Sequence, residues 1–403
     1  MAHNGQGGIP WESPALKDSA DLYLLPQPDP ESSPACLDGS PYGPYFRKSP
    51  TNSTKWTVSI EGGGWCYNET LCYERSKTQL GTSTVWPKTS GCQCMNPLPD
   101  GTLDANCNCL FMRYGDGASF SGFRAKPWPV PSAPGKTLTF RGIKNFDATM
   151  DWAFAHGMTE ATEFVLTGGS AGGLSTFLHA DRIAARLAAE APKCAKVRAA
   201  PVVGYFLDHD NFAHSGYGNT YTGWMEYIYK MQNLTFGGDA GGALSPDCGA
   251  AFPFAPSYCF MSPHMQAFIK TPFFMFNSKY DAWQMGNELQ TRWTPTSITE
   301  AQHAAVLQYG DDFLSQFGPV GKEGKNGAMI TSCICHGCPW STLTTSAEGD
   351  GGKTSYEHYA DWYYGKTSGE GAVHIDPRLP NGGGALTDPH CTVFPAAAPK
   401  AAA

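Results

Sequence analysis

Residues 163–173 constrain this chain more than any other stretch. They read Glu-Phe-Val-Leu-Thr-Gly-Gly-Ser-Ala-Gly-Gly. An apolar run, Phe164 to Leu166, stops at a Gly-x-Ser-x-Gly core of Gly168, Ser170 and Gly172, and a helix-like stretch follows from Leu174 to about Ala189. Strand, sharp turn, serine and helix together are the context of a nucleophile elbow. Such a turn holds the serine in a strained backbone conformation, and glycine on either side leaves room for the crowding. The hydroxyl then stands at a helix N-terminus, where negative charge is stabilised. Without the strand and helix the motif would read as a plain glycine-rich loop.

The rest of the chain repeats this alternation. Trp56–Ile60 is a strand candidate running into Glu61-Gly-Gly-Gly-Trp65. Asn108–Tyr114 is a second, ending in Gly115-Asp-Gly117. Ile143, Phe146, Met150 and Phe154 fall on one face of a helix. Further strands are expected at Val197–Phe206, Pro272–Phe276 and Ala328–Ser332, with a helix opened by the Ser297–Glu300 capping box and running to about Phe317. This order predicts an α/β chain with a mainly parallel sheet and helices on both faces. Residues 1–35 read as an irregular lead-in, 36–394 as one domain and 395–403 as a disordered tail. Residues 211–265, rich in Gly, Tyr and Pro, read as an inserted cap or loop region.

Composition narrows the function classes. The net charge is −8 and charged residues are only 16% of 403, with no basic stripe. That argues against nucleic acid and anionic membrane surfaces as partners. No apolar run approaches the roughly 20 residues of a membrane span. Fourteen cysteines and three glycosylation sequons, at Asn52, Asn68 and Asn233, favour an oxidising secretory compartment. Residues 1–20 hold no apolar segment of the signal-peptide kind. Cys92-x-Cys94 with Cys107-x-Cys109 could ligate zinc, but in that compartment they read as disulfides stapling a loop. Asp208, His209, Asp210 and His214 have metal-ligand chemistry, yet read better as a short acidic loop. No metal or cofactor is expected.

A serine nucleophile needs a base, and the base needs an acid to orient it. In α/β-hydrolase-like folds the chain order is Ser, Asp or Glu, then His. Ser170, Asp281 and His336 satisfy it, each just past a strand. Asp281 could instead be a turn or cap residue, and His336 a packed histidine; His179, His209 and His214 are rival bases. The glycines after the first strand offer close backbone N–H donors for an oxyanion, with Ala171 N–H as a second donor. Asp116, Asp208 and Trp283, also at strand ends, are candidates for a substrate pocket.

At these residues the chain resembles the pectin acetylesterase/Notum family. The likeness runs through Glu61-Gly-Gly-Gly-Trp-Cys66, Arg113-Tyr-Gly-Asp-Gly-Ala-Ser-Phe120, Thr167-Gly-Gly-Ser-Ala-Gly-Gly173, Asn277-Ser-Lys-Tyr-Asp-Ala-Trp-Gln284 and Ser332-Cys-Ile-Cys-His336, within residues 36–391. The resemblance implies a secreted, disulfide-bonded serine carboxyl-ester hydrolase of α/β-hydrolase-like fold. It places the triad on Ser170, Asp281 and His336 and the oxyanion loop on Gly63, Gly64 and Trp65, with Ala171. It implies an acetylated, pectin-like polysaccharide as substrate partner; the chain is expected to be a monomer. The alternatives are a deacylase of a longer-chain protein ester, and an inactive glycan-binding protein. The sequence departs from the plant pattern at Gly168-Gly169 before the serine and at Cys335 and Cys338 around the histidine.

Overall fold

The computed structural model describes residues 19–237, 241–291, 298–317, 324–341, 343–344 and 352–377. Its strands are β1 (Ser19–Leu22), β2 (Tyr45–Arg47), β3 (Lys55–Ile60), β4 (Thr89–Gly91), β5 (Asn108–Met112), β6 (Trp128–Pro129), β7 (Thr137–Leu138), β8 (Glu163–Gly169), β9 (Lys196–Val202), β10 (Phe274–Ser278), β11 (Gly327–Thr331) and β12 (Val373–Ile375). Its α-helices are α1 (Glu69–Arg75), α2 (Gly142–Ala155), α3 (Ala171–Glu190), α4 (Tyr221–Met231), α5 (Pro246–Ala251), α6 (Ser262–Met265), α7 (Ala282–Asn287), α8 (Glu300–Phe317) and α9 (Ser355–Tyr363).

Ten strands form one sheet in the order β12-β11-β10-β9-β8-β3-β5-β2-β1-β4. From β12 to β5 every pairing is parallel; β2, β1 and β4 extend the β5 edge antiparallel. The inner strands β3, β5, β8, β10 and β11 are mostly buried on both faces, as parallel strands covered by helices are, while the edge strand β12 is only partly buried. Alternate residues sort into two cores. Phe164, Leu166, Met275 and Ile330 pack with Phe146, Met150, Leu174, Ile183 and Phe313 of α2, α3 and α8. Val165, Phe274, Phe276 and Met329 face the other way, onto Tyr359, Trp362 and Tyr363 of α9. Each of these large side chains contributes about 1.5–3 kcal/mol by leaving water. Helices therefore cover both faces, as the strand–helix alternation predicted.

One expectation needs correction and another is narrowed. The lead-in is not irregular throughout: Ser19–Leu22 pairs with both β2 and β4. Four residues with one alternating face leave too short a period to read from sequence. Of the two readings of residues 211–265, cap or loop, the segment is not loop throughout: it carries α4, α5, α6 and short 3-10 turns, closed by a Cys248–Cys259 disulfide. Their helical period is masked by tyrosine and glycine, though α4 is capped by Thr220 and buries Tyr221, Met225 and Ile228. The cysteine-rich loop is stapled as expected, by Cys92–Cys109 and Cys94–Cys107. Ser297 of the capping box and the 395–403 tail lie outside the described residues. No described helix is long and apolar enough to cross a membrane.

Candidate active site

The parallel strands deliver their carboxyl ends to one rim, where such sheets place their sites. Ser170 sits between β8 and α3 with φ 59 and ψ −125. A non-glycine residue held there costs of order 1–3 kcal/mol, so the surroundings must enforce it. They do. Ser170 N–H donates to Val202 O on the neighbouring strand at 2.9 Å. Gly172 lies so close to β3 that a Cβ would come within 2.2 Å of Ile60 O. Only glycine permits that approach.

Asp281 and His336 come together although 55 residues apart. His336 Nδ1 lies 2.9 and 2.8 Å from the two carboxylate oxygens of Asp281. Asp281 is fully buried and also caps α7, its Oδ1 accepting from Trp283 N and Gln284 N at 3.0 Å each. The cap reading and the functional reading of Asp281 are thus both met by one carboxylate. With Nδ1 donating to Asp281, Nε2 is the proton-accepting nitrogen, and it is buried without a hydrogen-bond partner among the described residues. A Cys335–Cys338 disulfide brackets His336.

The rival histidines are otherwise engaged. His179 is fully buried, stacks on Phe146 and sets Nε2 3.1 Å from Phe120 O. Burial pushes its pKa down to about 3, so it stays neutral. His209 pairs with Asp312 and His214 with Asp210, while Asp208 pairs with His264. Among the described residues, Asp208, His209, Asp210 and His214 do not converge on one point, and Cys94, Cys107 and Cys109, which do, are in disulfides.

The glycine loop after β3 lies directly against the elbow. A Cβ on Gly62 would fall 2.3 Å from Gly169 O and 2.7 Å from Ser170 Cβ. Gly63 and Gly64 have φ 150 and 64, in the region that favours glycine. Glu61 anchors the loop by accepting from Tyr114 N at 2.8 Å. Burial pushes its carboxyl pKa up, partly opposed by Arg113 and the Tyr114 N–H. Arg75 Nη2 donates to Trp65 O at 3.2 Å, and Cys66–Cys72 closes the segment. Ala171 opens α3, where the first N–H groups have no helical acceptor. Gly63, Gly64 and Trp65 follow directly on the close approach of Gly62, and Ala171 follows Ser170 in the chain.

The pocket candidates divide. Trp283 is half-buried in an aromatic group with Trp65, Phe206 and Tyr221, at ring distances of 5.5, 5.3 and 6.4 Å, and lies 6.3 Å from the His336 ring. Asp116 is not pocket-lining: it is fully buried and its Oδ2 accepts from Ala118 N and Phe120 N. Its strand-end position, the only signal available in sequence, does not distinguish a turn staple from a ligand. Asp208 is partly exposed; burial raises its pKa, but hydrogen bonds from His264 and Thr222 outweigh that and leave it lowered. Sequence reasoning missed Phe206, Tyr221 and Ser119, which reach the site only through packing. Of the sequon residues, Asn52 and Asn233 are exposed and Asn68 caps α1.

A family model described as pectinacetylesterase matches residues 15–383. The chain is 30% identical over 357 residues to pectin acetylesterase 11 of Arabidopsis thaliana, spanning 83% of this chain and 85% of that one. It is 28% identical over 312 residues to the palmitoleoyl-protein carboxylesterase NOTUM of Drosophila melanogaster, spanning 76% of this chain but 43% of the relative. The structure of the Wnt deacylase Notum from Drosophila is similar with a TM-score of 0.74 at 24% identity, covering 89% of this chain and 97% of that one. That likeness identifies the fold as α/β-hydrolase-like.

Proposed function

This chain belongs to the pectinacetylesterase family and is a carboxyl-ester hydrolase, and from that premise we propose that it is a secreted serine esterase removing O-acetyl groups from a pectin-like polysaccharide. The observation that carries the serine mechanism is the His336–Asp281 pair, with Nδ1 held and Nε2 left free, on the same rim as the elbow serine.

In this mechanism Ser170 Oγ attacks the acetyl carbonyl and His336 Nε2 takes its proton. Asp281 keeps the imidazole in the tautomer that can do so and favours the imidazolium that forms. Backbone N–H groups of Gly63, Gly64, Trp65 and Ala171 receive the developing oxyanion. His336 returns the proton to the departing sugar hydroxyl, leaving an acetyl-enzyme that water hydrolyses. The buried rings of Trp65, Phe206 and Tyr221 pack together beside Trp283, and Phe206 beside His336, a packing that supports the small-acyl reading. Asp208 and Trp283 are left as the pocket candidates at this rim. Secretion is supported by the disulfides and the accessible sequons.

The NOTUM likeness favours a second reading, hydrolysis of a longer-chain acyl ester. Acetate release from acetylated pectin, xylan and chitin oligomers, beside an acetyl-to-octanoyl series of p-nitrophenyl esters, decides between them. The expected result is acetate from pectin, rates falling with chain length, and no turnover by Ser170→Ala. Rates that rise toward octanoyl would select the second reading, and wild-type turnover by Ser170→Ala would remove the serine mechanism.

A further inference from the structure

The turn after β5 contains a feature that the elbow and the triad do not use. Ser119 and Phe120 are consecutive non-glycine residues with φ 54 and 60. Two such residues in a row persist only where neighbours over-determine them. Here Asp116 Oδ2 accepts from Ala118 N and Phe120 N at 3.2 and 2.9 Å, Tyr114 Oη accepts from Ser119 N at 3.0 Å, and His179 Nε2 contacts Phe120 O at 3.1 Å. Three side chains make four contacts that hold this turn.

What they hold in place is one hydroxyl. Ser119 is fully buried; its Oγ accepts from Trp65 Nε1 at 2.9 Å and donates to Ala171 O at 2.8 Å. An indole N–H can only donate and a carbonyl can only accept, so the group between them must do both. Trp65 belongs to the glycine loop and Ala171 to the elbow helix, the two segments that supply backbone donors on either side of Ser170. The hydroxyl therefore fixes the spacing between the two halves of the donor set.

We propose that Ser119 is a positioning residue that sets the oxyanion hole by tying the Trp65 loop to the Ala171 end of the elbow. This rests on the serine-esterase reading above. It acts through backbone donors and touches no reacting atom itself, so its effect falls on the charge that develops in the transition state rather than on ester binding.

Ser119→Gly removes the hydroxyl while favouring the positive φ, so backbone strain does not confuse the result. The expected outcome is a kcat on p-nitrophenyl acetate reduced ~10-fold or more with KM within about twofold, measured at a temperature where a thermal melt shows the variant fully folded, since stranding Trp65 Nε1 and Ala171 O lowers the melting temperature. Trifluoroacetone forms a Ser170 hemiketal whose oxyanion occupies the same donors, so its affinity falls in step with kcat. A wild-type kcat overturns the proposal, and so does a lowered kcat with unchanged trifluoroacetone affinity. Trp65→Phe removes the N–H that Ser119 accepts, together with the five-membered ring, and keeps an aromatic face; it carries the same expectation for kcat and trifluoroacetone affinity, and the same refutation, if glycine at 119 prevents folding. Ser170→Ala separates the two readings. If it is inactive while Ser119→Gly is wild type, only the positioning role falls; if it retains turnover, the serine-esterase reading falls and the positioning role with it.

Discussion

Asp281→Asn is the substitution on which the geometry speaks most directly. The carboxylate does two tasks at once: Oδ1 accepts from Trp283 N and Gln284 N at 3.0 Å, and the carboxylate faces His336 Nδ1 at 2.8–2.9 Å. An amide has one acceptor and one donor end. Its oxygen must turn to the two backbone N–H groups, since an NH2 there would set donor against donor. The NH2 then faces His336 Nδ1 and makes that nitrogen the acceptor. The ring proton moves to Nε2, which can no longer take a proton from Ser170. A wrong tautomer in a triad costs about 10⁴ in kcat, or about 5.5 kcal/mol of barrier. Stability should barely change, because Asn and Asp cap helices almost equally, whereas loss of the cap costs about 1 kcal/mol. The assay is turnover of p-nitrophenyl acetate beside a thermal melt. If Asp281→Asn kept turnover within about tenfold of wild type, the tautomer argument would be wrong.

Two further outcomes follow from the same structure. Cys335→Ser with Cys338→Ser opens the ring around His336; so short a loop contributes only about 2 kcal/mol of stability, but freeing the base should cut turnover ~10-fold or more, and unchanged kcat in a melted-and-refolded control of equal folded fraction would refute it. Burial raises the Asp116 pKa from 3.8 to about 7 and lowers that of His179 from 6.5 to about 3. The Asp116 contribution to stability is full below pH 3.8 and lost as pH rises through 7; the His179 contribution is full above 6.5 and lost as pH falls toward 3. Between pH 4 and 6.5 the two slopes oppose one another, so Asp116→Asn should make stability rise with pH and His179→Gln should make it fall, each by roughly 1.4 kcal/mol per pH unit. Urea midpoints at pH 4.5 and 6.5 measure both, and equal slopes in the two variants would refute the pairing.

The parallel block of the sheet was legible because its strands are apolar runs bounded by glycine or polar turns. The expected ends at Trp56–Ile60, Asn108–Tyr114 and Ala328–Ser332 fall within one or two residues of Lys55–Ile60, Asn108–Met112 and Gly327–Thr331. The antiparallel edge was not legible. β1, β2 and β4 are three or four residues long, too short for alternation to show, and their partners lie in distant segments. The helices of 211–265 were hidden for another reason: Tyr221, Met225 and Ile228 form one buried stripe of α4, but Trp224, Tyr227 and Tyr229 lie next to them in sequence and blur its period.

At the site, legibility follows the kind of force that places each residue. Ser170, Asp281 and His336 were readable because a strand, a turn residue and a chain order put each at a strand's carboxyl end; the sheet then does the rest. Asp116 satisfied the same rule and was misassigned, because a carboxylate at a strand end can serve its own turn as well as a ligand. The difference lies in burial, and burial is a property of what packs above the strand. Ser119 stands furthest from sequence reasoning. Its partners Trp65 and Ala171 are 54 and 52 residues away, and a serine inside a Gly-Ala-Ser-Phe turn carries no period or cap signal. Yet Tyr114, Asp116 and His179, each individually unremarkable as a buried polar group, converge on that turn. A buried polar group is retained at a cost only where its hydrogen bonds specify something. Here the residues that sequence could not explain all specify the same hydroxyl, and that hydroxyl joins the glycine loop at Trp65 to the start of the elbow helix at Ala171.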